Sequence, residues 1–283
     1  MIQERLKALR AEMEKRGITV YVVPTADFHE SEYVGDHFKA RKFITGFTGS
    51  AGTAVITLDE AGLWTDGRYF VQAENQLKDS TVTLYRMGEE SVPTVDEFVK
   101  DRLKEGGCLG FDGRVVNGTW GGRLEKIAAE KNVSMHVTED LIDLIWEDRP
   151  ALSKQPLFIL EEKYSGKSTA DKIADLRKAM KENGADVHIL TSLYDIAWLL
   201  NIRGNDIDYV PVVLSYLVLN ETECIWFLQE EVVDDKIRAY LEENHITTKP
   251  YDAIYDYVPE IPADAVVLMN RGTVNYRIVN SLD

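Results

Sequence analysis

Cysteine is scarce in this chain: Cys108 and Cys224 are the two in 283 residues. They stand far apart in different apolar settings. No disulfide framework is expected, and both are read as reduced and buried, which fits a cytoplasmic protein. Positive charge is also short. Lys and Arg number 32 against 48 Asp and Glu, a formal net charge of −16. That balance argues against nucleic acid or an anionic membrane as a partner, since both need basic patches. No apolar run is long enough to span a bilayer. The opening MIQERLKALRAEMEKRG is charged and amphipathic, without the apolar core of a signal peptide. The metal-binding spacings H-E-x-x-H and C-x-x-C are missing. So are the G-K-[ST] of a phosphate loop and the G-x-S-x-G of a nucleophile elbow.

What is present is a globular composition, with 45% hydrophobic residues, and a length that favours two domains. Ile2, Leu6, Leu9 and Met13 recur at helical spacing, with Gly17 after them as a cap. Residues 20–23 form a buried strand closed by Pro24. Residues 25–41 are polar and read as a loop with one helical turn. Strands are expected at 82–85, 108–111 and 135–137. Thr94 and Glu97 spell a capping box for a helix that carries Val95, Phe98, Val99 and Leu103 on one face. Trp120, Leu124, Ile127 and Ala128 mark another helix. Residues 148–156, with Pro150 and Pro156, break every periodicity and form the boundary between a domain at 1–152 and one at 153–283.

The pattern then restarts. Ser168 caps a helix with Ile173, Leu176 and Met180 inward, Gly184 closes it, and residues 187–190 are a strand. Leu9, Arg10, Met13 and Gly17 recur as Leu176, Arg177, Met180 and Gly184, all at one offset of 167 positions. Two copies of one α/β domain are inferred. The second copy continues with a helix at 193–201, a loop at 203–206 and a hairpin turning at Asn220-Glu221. A helix marked by Val232, Val233, Ile237, Tyr240 and Leu241 follows, then a strand at 266–269. Trp64, Trp146 and Trp198 read as core or interface anchors. Residues 279–283 have no capped finish and read as a boundary within a longer chain.

The chain is organised around residues 46–68, GFTGSAGTAVITLDEAGLWTDGR. Gly46, Gly49 and Gly52 allow a positive φ and close backbone approach. A strand at 53–58 turns through 59–62 into a second strand ending at Asp66-Gly67, and Arg68 opens a helix. From the residues alone, Arg68 is a surface partner of Asp66, or a rigid fork for a peptide carbonyl or carboxylate. His29, with Asp27, Glu30 and Glu32, is the densest ligand-capable cluster; its plain reading is a polar loop. Ser50 and His29 also leave a self-contained hydrolase as a rival, although no nucleophile–base–orienter set can be named.

GFTGSAGTAVIT followed by LWTDGRYFVQA, with VVPTADFHESEY upstream, resembles the N-terminal part of aminopeptidase P, the Xaa-Pro aminopeptidases of the creatinase/prolidase superfamily. The resemblance covers essentially the whole chain but only the first two domains of the long, cytosolic form. It implies two creatinase-N-terminal-like α/β domains, each a mixed β-sheet flanked by helices. It implies substrate contacts at Arg68, at Arg203 in an N-x-R-G-x-D loop (Asn201 to Asp206) and at His29. No catalytic residue, metal ligand or cofactor is assigned within the chain. Two divalent metal ions, manganese or zinc, are expected in a pita-bread catalytic domain that this sequence does not match. The expected role is dimerisation as a homodimer and control of access for a proline-containing peptide. The alternative is a peptide- or histone-binding module without catalysis.

Overall fold

The computed structural model describes residues 2–282, so Asp283 of the expected chain boundary lies outside the described residues. They divide into two compact units. The first comprises the residues up to Asp27 and Asp36–Ala151; the second comprises Phe28–Gly35 and the residues from Leu152 onward.

The first unit opens with helix α1 (Ile2–Lys15), which buries Leu6, Leu9 and Met13 at the expected spacing. Strand β1 (Val20–Pro24) is buried along its whole length, as a continuous apolar run demands when both faces of a sheet are covered. Helix α2 (Ala40–Thr45) follows, then β2 (Thr53–Thr57), β3 (Ala61–Thr65), α3 (Phe70–Leu77) and β4 (Thr83–Arg86). Helix α4 (Val95–Arg102) carries the Thr94–Glu97 capping box with both reciprocal bonds formed. Strand β5 (Cys108–Phe111), helix α5 (Gly118–Lys131) and strand β6 (Ser134–His136) complete it. The sheet order is β4-β3-β2-β1-β5-β6. Strand β2 is antiparallel to both neighbours and every other pairing is parallel.

The second unit contains β7 (Phe158–Ile159), α6 (Glu162–Ser165), α7 (Thr169–Glu182), β8 (Val187–Leu190), α8 (Leu193–Leu200) and β9 (Ile202–Arg203). Strands β10 (Ser215–Asn220) and β11 (Cys224–Leu228), helix α9 (Asp235–Glu243), β12 (Thr247–Pro250), α10 (Ile254–Tyr257), β13 (Val267–Leu268) and α11 (Tyr276–Val279) follow. The main sheet runs β12-β11-β10-β8-β13, and β7 pairs with β9 apart from it.

The two main sheets share one pairing frame. Val20 faces Thr57 across β1–β2, and Val187 faces Asn220 across β8–β10. Val20 also pairs with Leu109, and Val187 with Val267. The outer pairs, Gly62 with Thr83 and Ile225 with Thr247, keep step. The arginine of the repeat makes the same bond in each copy. Arg10 Nε donates to the Thr57 carbonyl at 2.9 Å, and Arg177 Nε donates to the Asn220 carbonyl at 3.0 Å. Both arginines stand on the helix that leads into the paired strand, β1 or β8, and satisfy the last carbonyl of its antiparallel neighbour.

Two expected bounds needed adjustment. The loop at 25–41 holds its one helical turn, a 3-10 turn at Asp36–Phe38, but ends two residues early: α2 begins at Ala40 and buries Arg41, Phe43, Ile44 and Thr45. The helix marked from Val232 begins at Asp235, capped by the Asp234 side chain; Glu230–Val232 is a separate 3-10 turn. Of the three tryptophans read as core or interface anchors, Trp64 is fully buried, Trp146 stacks on Phe43 with ring centroids 4.6 Å apart, and Trp198 is 55% exposed and so is no core anchor.

In the shared frame Trp226 sits where the first unit has Leu63. Trp64 Nε1 donates to the Pro93 carbonyl at 2.7 Å. Trp226 Nε1 is buried without an acceptor among the described residues. An unmet buried donor costs about 1–3 kcal/mol. Trp226→Phe is therefore expected to destabilise by about 1–2 kcal/mol less than Trp64→Phe. Denaturant titration of both variants checks the order.

Candidate functional site

The glycine-rich turn that follows α2 is built around a buried arginine. Gly46 ends α2 at φ 78°, and its N–H closes on the Lys42 carbonyl. At Gly52 an added Cβ would lie 2.9 Å from the Trp64 carbonyl, so only glycine lets the turn approach β3 this closely. Inside the turn, Arg41 is 4% exposed. Its Nε donates to Thr25 Oγ1 at 2.9 Å, Nη1 to the Phe47 carbonyl at 2.5 Å, and Nη2 to the Gly49 carbonyl. Thr25 closes the circle by donating N–H and Oγ1 to the Gly52 carbonyl at 3.0 and 2.8 Å. Burial lowers the Arg41 guanidinium to about 10, so it stays charged at neutral pH.

Arg68 stands at the same open end of the β2–β3 hairpin, just past β3. Its side chain is 70% exposed. Asp66 grips it: Nε and Nη2 donate to the two carboxylate oxygens at 2.8 Å each, and the Arg68 backbone N–H adds a bond of 3.1 Å. These contacts hold the Asp66 carboxyl down at about 2. Tyr69 follows, with its backbone N–H on the Asp66 carbonyl at 3.0 Å. The Tyr69 hydroxyl shares a 2.5 Å hydrogen bond with Ser50, and the ring lies edge-on to Phe47. The Ser50 partner is thus a phenol and not a base.

Arg203 and His29 lie in the second unit and engage different parts of it. Arg203 turns its Nη1 to the Ala197 carbonyl, in the last turn of α8, and to the Ile202 carbonyl at 3.1 Å. A cation there satisfies an orphan carbonyl and complements the helix dipole. Buried Lys172 supports the same end, donating to the Trp198 carbonyl at 2.7 Å and to Asn201 Oδ1 at 2.6 Å. Burial, then Arg203 and Lys167, push the Lys172 amine below the usual lysine range. Asp206 accepts the Gln155 and Leu214 N–H groups at 3.1 and 2.9 Å. Asn201 and Asp206 of the N-x-R-G-x-D loop are therefore held by internal bonds.

His29 is 2% exposed. Its Nδ1 lies 2.9 Å from the Thr191 carbonyl, and its Nε2 lies 2.6 Å from the Tyr251 hydroxyl. A carbonyl only accepts, so Nδ1 carries a hydrogen, and in the neutral ring Nε2 accepts from the Tyr251 hydroxyl. The nearby Tyr216, Tyr255 and Asn275 extend this into a buried polar network. Among the described residues, no group of three or more His, Cys, Asp or Glu side chains is arranged to hold a metal ion, and no helix is long and apolar enough to cross a membrane.

The sequence singled out Arg68, Arg203 and His29 but missed Arg41 and Lys172. Lys172 gave one signal, a basic residue beside Ile173 at the edge of the apolar face of α7; Arg41, at the end of a polar stretch, gave none.

The family description Creatinase/Prolidase N-terminal domain matches residues 5–145 and again residues 148–283. The chain belongs to that family and carries its domain twice. Among proteins it is similar to, the probable Xaa-Pro aminopeptidase P of Sordaria macrospora is 42% identical over 255 residues, 89% of this chain and 41% of that protein. Aminopeptidase P2 of Arabidopsis thaliana is 35% identical over 287 residues, 99% of this chain and 40% of that protein. The crystal structure of the X-prolyl aminopeptidase from Caenorhabditis elegans superposes with a TM-score of 0.94 at 32% identity, over 100% of this chain and 49% of that one. That protein is described as a cytosolic enzyme with a di-nuclear active site. The chain thus spans about two fifths of the length of the curated relatives it matches.

Proposed function

We propose that this chain is the non-catalytic N-terminal region of a cytosolic, metal-dependent Xaa-Pro aminopeptidase, acting in dimerisation and in the admission and binding of peptides from which the residue before proline is removed. The observation that carries the reading is the agreement in fold, across the whole chain, with about half of an X-prolyl aminopeptidase. On this reading two divalent ions, manganese or zinc, would be held by residues beyond those described and would supply Lewis-acid chemistry there. The donor sets described here do not fit such a pair, so no step of the hydrolysis is assigned to them. Arg68 holds an acyl oxygen of the peptide. Arg203 and His29 contribute to binding by fixing the loops that carry them.

The test is direct. The purified 283-residue chain, supplied with manganese or zinc, is expected to leave Ala-Pro-Ala intact over hours. Release of free alanine by the pure chain would overturn the assignment.

A further inference from the structure

An arginine has two hydrogen-bonding edges, one formed by Nε and Nη2 and the other by Nη1 and Nη2. In Arg68, Asp66 occupies the first edge through both of its oxygens. The second has no protein acceptor among the described residues, and the side chain projects into solvent. A free arginine at this exposure would sample many rotamers and lose that freedom on binding. Here the loss is already taken. The short ring closed by Asp66, Gly67 and Arg68 fixes the guanidinium plane relative to the backbone.

The plane also has a backing. The Arg68 Cζ lies 5.2 Å from the centre of the Tyr69 ring. That ring is seated by the glycine-rich turn: a Cβ at Gly49 would fall 2.8 Å from Tyr69 Cδ1, and Ser50 holds the hydroxyl. The turn that Arg41 clamps is therefore the socket of Tyr69.

We infer that Asp66 is a positioning residue, which holds Arg68 by one edge so that the opposite edge is preset for an acyl oxygen of a short peptide, with Tyr69 and the glycine-rich turn as its backing. The inference rests on the reading of Arg68 as a peptide contact and adds the device that makes it selective. A preset fork discriminates by geometry, whereas a mobile cation attracts any anion.

Two measurements on the whole chain separate the inference from the reading beneath it. The first is the titration of the Asp66 carboxyl carbon by NMR, expected to have its midpoint near 2 in the wild type and in the ordinary aspartate range near 4 in Arg68→Ala. The second is the shift of the Arg68 Nε–H signal on adding Ala-Pro-Ala. The half-shift concentration is expected to rise roughly ten-fold in Asp66→Asn, the scale of one charge-assisted hydrogen bond, with thermal stability unchanged because the pair is exposed. An ordinary Asp66 midpoint in the wild type, or equal peptide response in wild type and Asp66→Asn, overturns the positioning role while leaving Arg68 as a peptide contact. A midpoint near 2 with no response of Arg68 to peptide in either protein overturns the reading of Arg68, and the inference with it.

Discussion

Arg41→Ala is expected to lower the stability of the first unit by about 3–5 kcal/mol, with a fall of about 10 °C in its melting temperature. The guanidinium is the shared donor for Thr25, Phe47 and Gly49, and it is buried. Removing it leaves the Phe47 and Gly49 carbonyls without that donor. A bond to a charged group contributes about 1.5–3 kcal/mol, and an abandoned buried acceptor costs on the same scale. The guanidinium also lies over the Phe47 ring, 4.7 Å from its centre. Lysine is not an adequate substitute. Its ammonium is a point donor and cannot span acceptors on three sides as a planar fork does, so Arg41→Lys should recover less than half of the loss. Denaturation followed by Trp64 fluorescence reports on the right unit. A loss below about 1 kcal/mol for Arg41→Ala would show that water replaces the clamp at little cost.

The second large effect is a pH dependence in the other unit. Cys224 lies in β11 at 1% exposure, and burial raises its thiol to about 12, with Arg177 opposing weakly. The sign follows from proton counting. Above about pH 9 the unfolded chain releases this proton and the folded chain keeps it, so the folded state binds more protons and stability falls as pH rises. The contribution is constant below about 9 and is lost at about 1.4 kcal/mol per pH unit between about 9 and about 12. Tyr216 titrates far above its usual range for the same reason and acts in the same sense, while Lys172, pushed down by burial, acts in the opposite one. The difference between wild type and Cys224→Ala isolates the thiol. Under reducing conditions the variant is expected to lose about 2 kcal/mol less than wild type between pH 8 and pH 10.5. Parallel stability–pH curves would mean that the thiolate reaches water without unfolding.

The sequence showed the architecture wherever a run was both apolar and bounded. Residues 20–23, 53–57 and 224–228 are such runs, and each is a strand. The caps at Thr94 and Ser168 were equally plain, because they depend on neighbours three residues away. The edge strand β12 was not visible: Thr247, Thr248, Lys249 and Pro250 carry no apolar alternation, and an edge position asks for none. The Asp66–Arg68 pair could be read because its partners are two positions apart. The surroundings of His29 could not. Its bonding partners, Thr191 and Tyr251, are 162 and 222 positions away, and a histidine among acidic residues reads as surface until they are known. Arg41 was hidden in a similar way, at the end of a polar stretch that turns out to begin a short buried helix.

The common pairing frame of the two sheets carries a further consequence. Thr65 is the last residue of β3 and Leu228 the last of β11, at matching places in that frame. Counting on from them, Asp66 corresponds to Gln229 and Arg68 to Glu231. In the second copy the sign is reversed, and Glu231 is spent on Lys154. Descent from a doubled ancestor would thus have left one exit of the ancestral hairpin cationic and the other acidic, on two sheets that still keep one pairing frame.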